Sequence, residues 1–180
     1  MESYLHISPK IWQEFRQSLL KARKTNEEVI GFLLCERHLI SKNKMRYLPR
    51  VWVAPSPDCY EHQSHDGLIL KQSFHLYLLK TYLWTQDYHV VHIHTHADQE
   101  TPNFSYIDDR YESEYAQFLT TYCPRKPRFI SGVFDCFLQQ GKFRLWDRKG
   151  ESSQPLIFSN SYFCLPSLPH EDGINSLMFS

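Results

Sequence analysis

The sequence predicts an α/β fold, with a central mixed β-sheet flanked by about three helices. Two runs, the continuous apolar Glu28–Cys35 and the β-branched Val90–His96, read as buried strands. Three other segments repeat their apolar residues at helical spacing, and the two kinds of segment alternate along the chain, which is the layout of a layered α/β domain. At 180 residues the chain is about one domain's worth. Residues 1–150 hold every periodic segment, and 151–180 form a C-terminal extension, either packed on the domain or extended across it.

Taken in order, Tyr4–Ile7 reads as a short strand. Ser8 then caps a helix with Pro9 at its first position, where a missing N–H costs nothing. Ile11, Phe15 and Leu19 recur every four residues and Trp12 and Leu20 widen the stripe, so this helix should lay one face on the sheet and end near Lys24–Asn26. Glu28–Cys35 follows as a central strand with Glu28 at its end, where a cleft can form. Arg37–Arg50 contains a turn at Ser41–Lys44 and one or two further strands, and Val51–Ala54 is a strand stopped by Pro55 and Pro57. Asp58–Asp66 is polar and reads as a loop. Gly67–Trp84 carries Leu70, Phe74, Tyr77 or Leu78, and Tyr82 at helical spacing, which predicts a second, mostly buried helix. Because it crosses from Val51–Ala54 to Val90–His96, those two strands should pair in parallel through a right-handed crossover. Tyr106–Tyr122 is a third helix, with Tyr111, Tyr115, Phe118, Leu119 and Tyr122 as its apolar residues and Pro124 as its breaker. Phe129–Leu138 and Lys142–Trp146 form a hairpin, Asp147–Gln154 is turn-rich, and the tail holds Pro155, Pro166 and Pro169 without periodicity.

Twenty basic residues balance twenty acidic ones, so net charge offers nothing to draw the chain to nucleic acid or to a membrane surface. No apolar run approaches the roughly 20 residues of a membrane span, and the first ten residues lack the layout of a signal peptide. A soluble, cytoplasmic protein is the expectation. Cys35, Cys59, Cys123, Cys136 and Cys164 are scattered and odd in number, which suits buried thiols in a reducing compartment. Cys59, His62 and His65 stand at intervals of three and make a rival metal motif, but a closed site needs a fourth ligand and only Glu61 or Asp66 is near. The ordinary reading of that stretch is a solvated loop, and its alternative placement is beside a substrate groove.

The chemistry concentrates in residues 92–109, where His92, His94 and His96 alternate along the predicted strand and so share one face. After a loop come Ser105 and Asp108, three apart at the start of the third helix. Singly, each has an ordinary reading: an inward strand histidine is a hydrogen-bonded core residue, and Ser-x-x-Asp is a capping box. Jointly, a strand ending in His-x-His and a helix opening with Ser-x-x-Asp bring two imidazoles and a carboxylate together. Three protein ligands with one open position are the arrangement of a catalytic zinc site. His92 is one pleat further in, either a core histidine or a partner that holds a ligand's orientation.

Glu28-Val-Ile-Gly31-Phe-Leu-Leu34, then His94-Thr-His96, then Ser105-Tyr-Ile-Asp108 resemble the motifs of the JAMM/MPN zinc metalloproteases, in a likeness that covers roughly residues 4–147. The resemblance implies the JAMM/MPN fold, with its cytidine-deaminase-like layering. It implies one catalytic Zn2+ held by His94, His96 and Asp108, with Glu28 passing a proton from water to the departing amine and Ser105 donating to the oxyanion. Two features depart from the usual pattern: eleven residues separate His96 from Asp108 where about ten are common, and Ala97 stands where a proline is frequent. The intact Ser-x-x-Asp register selects Asp108 over Asp109. The family's substrates are peptide or isopeptide bonds after the C-terminus of a ubiquitin-like protein. The compact inter-motif segments look like those of bacterial members, which work beside E1-like and E2-like proteins in sulfur-carrier processing or in antiphage conjugation. A metal-free MPN scaffold is the alternative of a different class, since many such domains have lost their zinc.

Overall fold

The apolar run after Glu28 becomes the spine of the molecule. In the computed structural model, residues 2–22, 27–64, 67–97 and 102–156 are described. In chain order they form β1 (Glu2–Leu5), α1 (Pro9–Ala22), β2 (Ile30–Ser41), β3 (Lys44–Val53), β4 (Tyr60–Gln63), β5 (Leu68–Leu70), α2 (Gln72–Leu78), β6 (His89–His96), α3 (Tyr106–Tyr122), β7 (Phe129–Asp135), β8 (Gly141–Trp146) and β9 (Ser153–Leu156). Seven strands make one mixed sheet in the order β1-β3-β2-β6-β7-β8-β9, and β4 and β5 pair separately. The β1–β3 and β6–β7 pairs are parallel and the other pairs of the large sheet antiparallel. The α/β class with a mixed sheet and three helices is therefore present.

Strand alternation assigns the two faces. Leu33, Cys35, Val91 and Ile93 point to the side of Trp12, Phe15 and Leu19 on α1. Ile30, Phe32, Leu34 and Val90 point to the side of Phe74 and Leu78 on α2 and Ala116 and Leu119 on α3. Gly31 makes the first packing possible. A Cβ there would sit 2.5 Å from the Phe15 ring and 2.9 Å from Leu19 Cδ2, so only a residue without a side chain lets α1 lie this close to β2.

Several elements differ from expectation. The strand begins at Ile30 rather than Glu28 and runs on to Ser41, where Lys42-Asn43 turn it directly into β3, one continuous strand that absorbs Val51–Val53. The expected parallel pairing of that strand with the histidine strand does not occur: β2 lies between them and pairs antiparallel with both. The physical reason is that β2, buried from Ile30 to Cys35, needs a partner on each edge. The parallel neighbour of β6 is instead β7, reached through α3. Residues 67–71 are not helical. Leu68–Leu70 pair with Tyr60–Gln63 as a small ribbon, so the helix starts only at Gln72 and continues from Leu79 to Leu83 as a π-helical turn. That helix is half-buried rather than mostly buried, with Leu76, Tyr77 and Trp84 exposed. On α3 the buried residues are Glu112, Ala116 and Leu119, while Tyr111 and Tyr122 face outward. The polar 147–154 stretch ends in β9, which pairs with β8 from Ser153. The predicted end of α1 near Lys24–Asn26 and the tail beyond Leu156, with Cys164, lie outside the described residues. Among the described residues no helix is long and apolar enough to cross a membrane.

His89, at the head of β6, gives the fold a specific acid sensitivity. Its Nδ1 accepts the Arg128 backbone N–H at 2.9 Å and its ring meets Tyr47 edge-on. Burial, with the charge of Arg37 adding to it, pushes its pKa down to about 4. A histidine that is harder to protonate when folded leaves stability intact above about pH 6.5 and drains it as the pH falls toward 4, because the unfolded chain binds the proton first. The loss is about 3 kcal/mol across that window. His89→Asn keeps an acceptor for Arg128 and should remove this part of the pH dependence. Urea titrations of both proteins from pH 7 to 4 measure it, and parallel curves would rule His89 out as the cause.

Candidate metal centre

The site is assembled where β6 ends and α3 begins. His92, His94 and His96 occupy alternate positions of β6 and lie on the face toward α3, as strand geometry requires. Ser105 is the N-cap of α3: its Oγ accepts the Asp108 N–H at 3.1 Å, and its own N–H donates to Asp108 Oδ2 at 2.6 Å. The Ser-x-x-Asp pair is thus a reciprocal capping box. The same box aims the Asp108 carboxylate at the histidines, with Oδ1 3.1 Å from His94 Nε2 and Oδ2 3.4 Å from His96 Nε2. The two Nε2 atoms are 3.2 Å apart.

These three separations suit one bound cation. Ligand atoms about 2.0–2.1 Å from a tetrahedral metal lie about 3.3–3.4 Å from each other. Among the described residues, His94, His96 and Asp108 form one of two groups with metal-ligand chemistry whose ligand atoms lie within 4.8 Å of one another; the other is His92, His94 and Glu112. Burial by itself would raise the Asp108 carboxyl. The hydrogen bonds of His94 and His96, with that of the Ser105 amide, outweigh it and hold Asp108 well below the usual carboxylate range. The carboxylate is ionised at neutral pH, as a metal ligand must be.

Glu28 reaches the same place from β2. Val29 continues the pairing of β2 with β6, its N–H reaching Thr95 Oγ1 and its carbonyl accepting the Thr95 N–H, both at 3.0 Å. Since Ile30 lies opposite His94, this continuation places Glu28 beside His96. Its backbone is pinned by Ser64 and Gln63 from the β4–β5 ribbon. Glu28 is buried and lines one pocket of about 570 Å³ together with His94, His96, Ser105 and Asp108. All five residues singled out in the sequence therefore share a cavity. Its apolar wall includes Ile30, Phe32, Leu68 and Leu70, and the expectation that the 58–66 stretch borders a groove is met by His62 in the lining.

Other expectations resolve locally. Cys59 and His62 have found serine partners, Ser56 Oγ at 3.4 Å and Ser64 Oγ at 3.1 Å, and neither belongs to a metal-ligand group among the described residues; His65 lies outside those residues. His92 is not a hydrogen-bonded core histidine. Its ring stacks between Phe32 and His94, at 5.5 and 5.3 Å, and its Nε2 is buried without a partner. Burial lowers its pKa, so it is neutral.

Glu112, which lines the pocket, and Arg144, which holds it from behind, stand outside the sequence motif. Glu112, one turn after Asp108, is buried against β7 and β8, where Oε2 accepts from Ser131 Oγ at 2.5 Å, Arg144 Nε at 2.7 Å and Trp146 Nε1 at 3.1 Å. Arg144 also pairs with Asp109 and stacks on Phe104, 3.7 Å from its ring centre. The available signal was spacing: Asp108, Glu112, Ala116, Leu119 and Cys123 trace one helical stripe, and an acid inside such a stripe needs a buried partner. The sequence matches no protein-family model and no curated protein.

Proposed function

We propose that the chain is a zinc-dependent isopeptidase or peptidase of the JAMM/MPN type, cleaving after the C-terminus of a ubiquitin-like protein to mature it or to release it from a target. One observation carries the reading: the Nε2 atoms of His94 and His96 and the Asp108 carboxylate converge within 3.1–3.4 Å in the pocket that Glu28 and Ser105 also line. A zinc ion held by those three residues would supply Lewis acidity and make water a nucleophile near neutral pH. Glu28 is the acid–base group, taking the water's proton and returning it to the leaving amine. Ser105 accepts the Asp108 N–H, which leaves its own proton to donate to the oxyanion, so capping and catalysis do not compete. Around the mouth, Ile69, Ile107 and Tyr111 line the pocket and are each exposed, a surface that suits an extended apolar tail. A setting beside E1-like and E2-like proteins in a bacterial antiphage conjugation system, or as a sulfur-carrier processing peptidase, belongs to the same proposal.

The test is metal content and cleavage measured together. Purified protein should hold one zinc per chain, His94→Ala should lose it, and a chelator should abolish cleavage of a ubiquitin-like fusion. Cleavage that survives chelation defeats the mechanism. Folded protein without metal and without activity would make the domain a scaffold instead.

A further inference from the structure

Deep in the pocket, behind the proposed zinc ligands, His94 Nδ1 and Glu112 Oε1 face each other at 4.0 Å. Both atoms are shut off from solvent and neither has a hydrogen-bond partner. Their neighbours explain why the gap is directional. The other carboxylate oxygen, Oε2, is tied by Ser131, Arg144 and Trp146, so Oε1 is the only oxygen of Glu112 left to turn toward the histidine. The His94 ring is held flat against His92, at 5.3 Å and 22° between planes, which limits how it tilts. On the other side of the ring, Nε2 already points at Asp108 and His96.

A neutral imidazole carries one N–H. If Nε2 gives its lone pair to a cation, the hydrogen is on Nδ1, and in this protein that hydrogen faces Glu112. We propose that Glu112 is a positioning residue of the metal centre: it accepts the Nδ1 proton of His94 in a hydrogen bond, fixes the tautomer that leaves Nε2 free to ligate, and strengthens that nitrogen as a donor. An approach of about 1 Å from the present separation brings the pair to ordinary hydrogen-bond length. The inference rests on the zinc reading of the outer site. The same side chains, with His92, invite a second reading as an inner cation site. Two features oppose that: the Arg144 guanidinium already holds the Glu112 carboxylate, at 2.5 Å, and His94 cannot offer both lone pairs while it stays neutral.

The experiment is zinc binding by metal-free full-length protein, in competition with a chelator of known affinity, joined to 15N NMR of the histidine rings after zinc loading. In wild type, His94 should show a hydrogen on Nδ1 that is strongly deshielded and slow to exchange with solvent. Glu112→Gln should lose that signature and weaken zinc binding about 10–100-fold. Glu112→Asp, which keeps a charge for Arg144 but draws it back, should also bind zinc more weakly and guards against misfolding of the first variant. Ser113→Ala is the control: it removes a bond from the same helix to the Gly150 carbonyl, 2.6 Å away and remote from the ligands, and should leave zinc affinity unchanged. Zinc bound with wild-type affinity by Glu112→Gln, or an exposed and rapidly exchanging His94 N–H, overturns the role of Glu112 while leaving the zinc centre standing. A second zinc equivalent lost in that variant overturns it in favour of the inner cation site. Wild type that takes up no zinc removes the centre and this inference together.

Discussion

Replacing Glu28 by glutamine is expected to leave the protein folded and its zinc bound, and to slow cleavage of a ubiquitin-like fusion about 10²–10⁴-fold, the contribution of a positioned acid–base group. The backbone at Glu28 is anchored independently of its side chain. The backbone of Glu28 is held by its N–H to the Ser64 carbonyl at 2.8 Å and by its carbonyl to Gln63 Nε2 at 2.9 Å. Neither bond involves the carboxylate. Glutamine has the same shape and occupies the same buried corner between β2 and the β4–β5 ribbon, but it cannot take a proton from water. Zinc content and kcat/KM, measured on the same preparation, decide the matter: an intact turnover with intact zinc would exclude Glu28 as the base and require another group in the pocket. The direction of the loss is also informative. A fall in kcat with little change in KM marks an interaction made only in the transition state, whereas a rise in KM alone would mean that Glu28 merely binds substrate.

Arg144→Met should destabilise the metal-free protein by about 3–5 kcal/mol, the largest structural effect predicted for this chain. Arg144 is 8% exposed and Glu112 3% exposed, and the two meet at 2.5 and 2.7 Å. Removing the guanidinium strands a carboxylate in the interior, where one serine hydroxyl and one indole N–H cannot replace a full positive charge. The contact with Asp109 adds little, because that carboxylate is 56% exposed and screened by water. Burial pushes the Glu112 carboxyl up even with His94 and Arg144 beside it. A carboxyl that is easier to protonate when folded contributes stability that is present at low pH and lost as the pH rises, so the Arg144→Met deficit should shrink in acid. The double variant Arg144→Met with Glu112→Leu replaces the pair by apolar groups and should recover most of the loss. Urea denaturation of the three proteins at pH 7 and pH 5 reads all of this, and a single variant within 1 kcal/mol of wild type would show that the pair is no strut.

What could be read in the sequence, and what could not, follows from how far each interaction reaches. The ends of α3 were legible because its boundaries are local chemistry: Ser105 and Asp108 cap each other across one turn, and Pro124 stops the chain just after Cys123. The common face of His92, His94 and His96 was legible because alternation along a strand depends on no partner. By contrast, the apolar spacing of Gly67–Leu70 fits a helix as well as a strand, and only the presence of Tyr60–Gln63 alongside decides for the ribbon. The rotation of α3 is likewise decided by distant segments. Tyr111 and Tyr122 belong to the apolar spacing that marks the helix, but look outward because Ser131, Arg144 and Trp146, supplied by β7 and β8, make the Glu112 side the one that can be buried.

By itself the chain's order of residues determined that there would be an α/β layering, a strand with three imidazoles on one side, and a helix whose first turn carries a capped aspartate. Each of these follows from forces acting over a few neighbouring residues. Tertiary structure alone decided that β2 slips between β3 and β6, carrying Glu28 to the imidazoles, and that Glu112 with Arg144 backs His94 from behind. Those outcomes depend on edge hydrogen bonds and buried charges being satisfied by segments dozens of positions away, and a carboxylate's partner is chosen only when the whole sheet has closed around it.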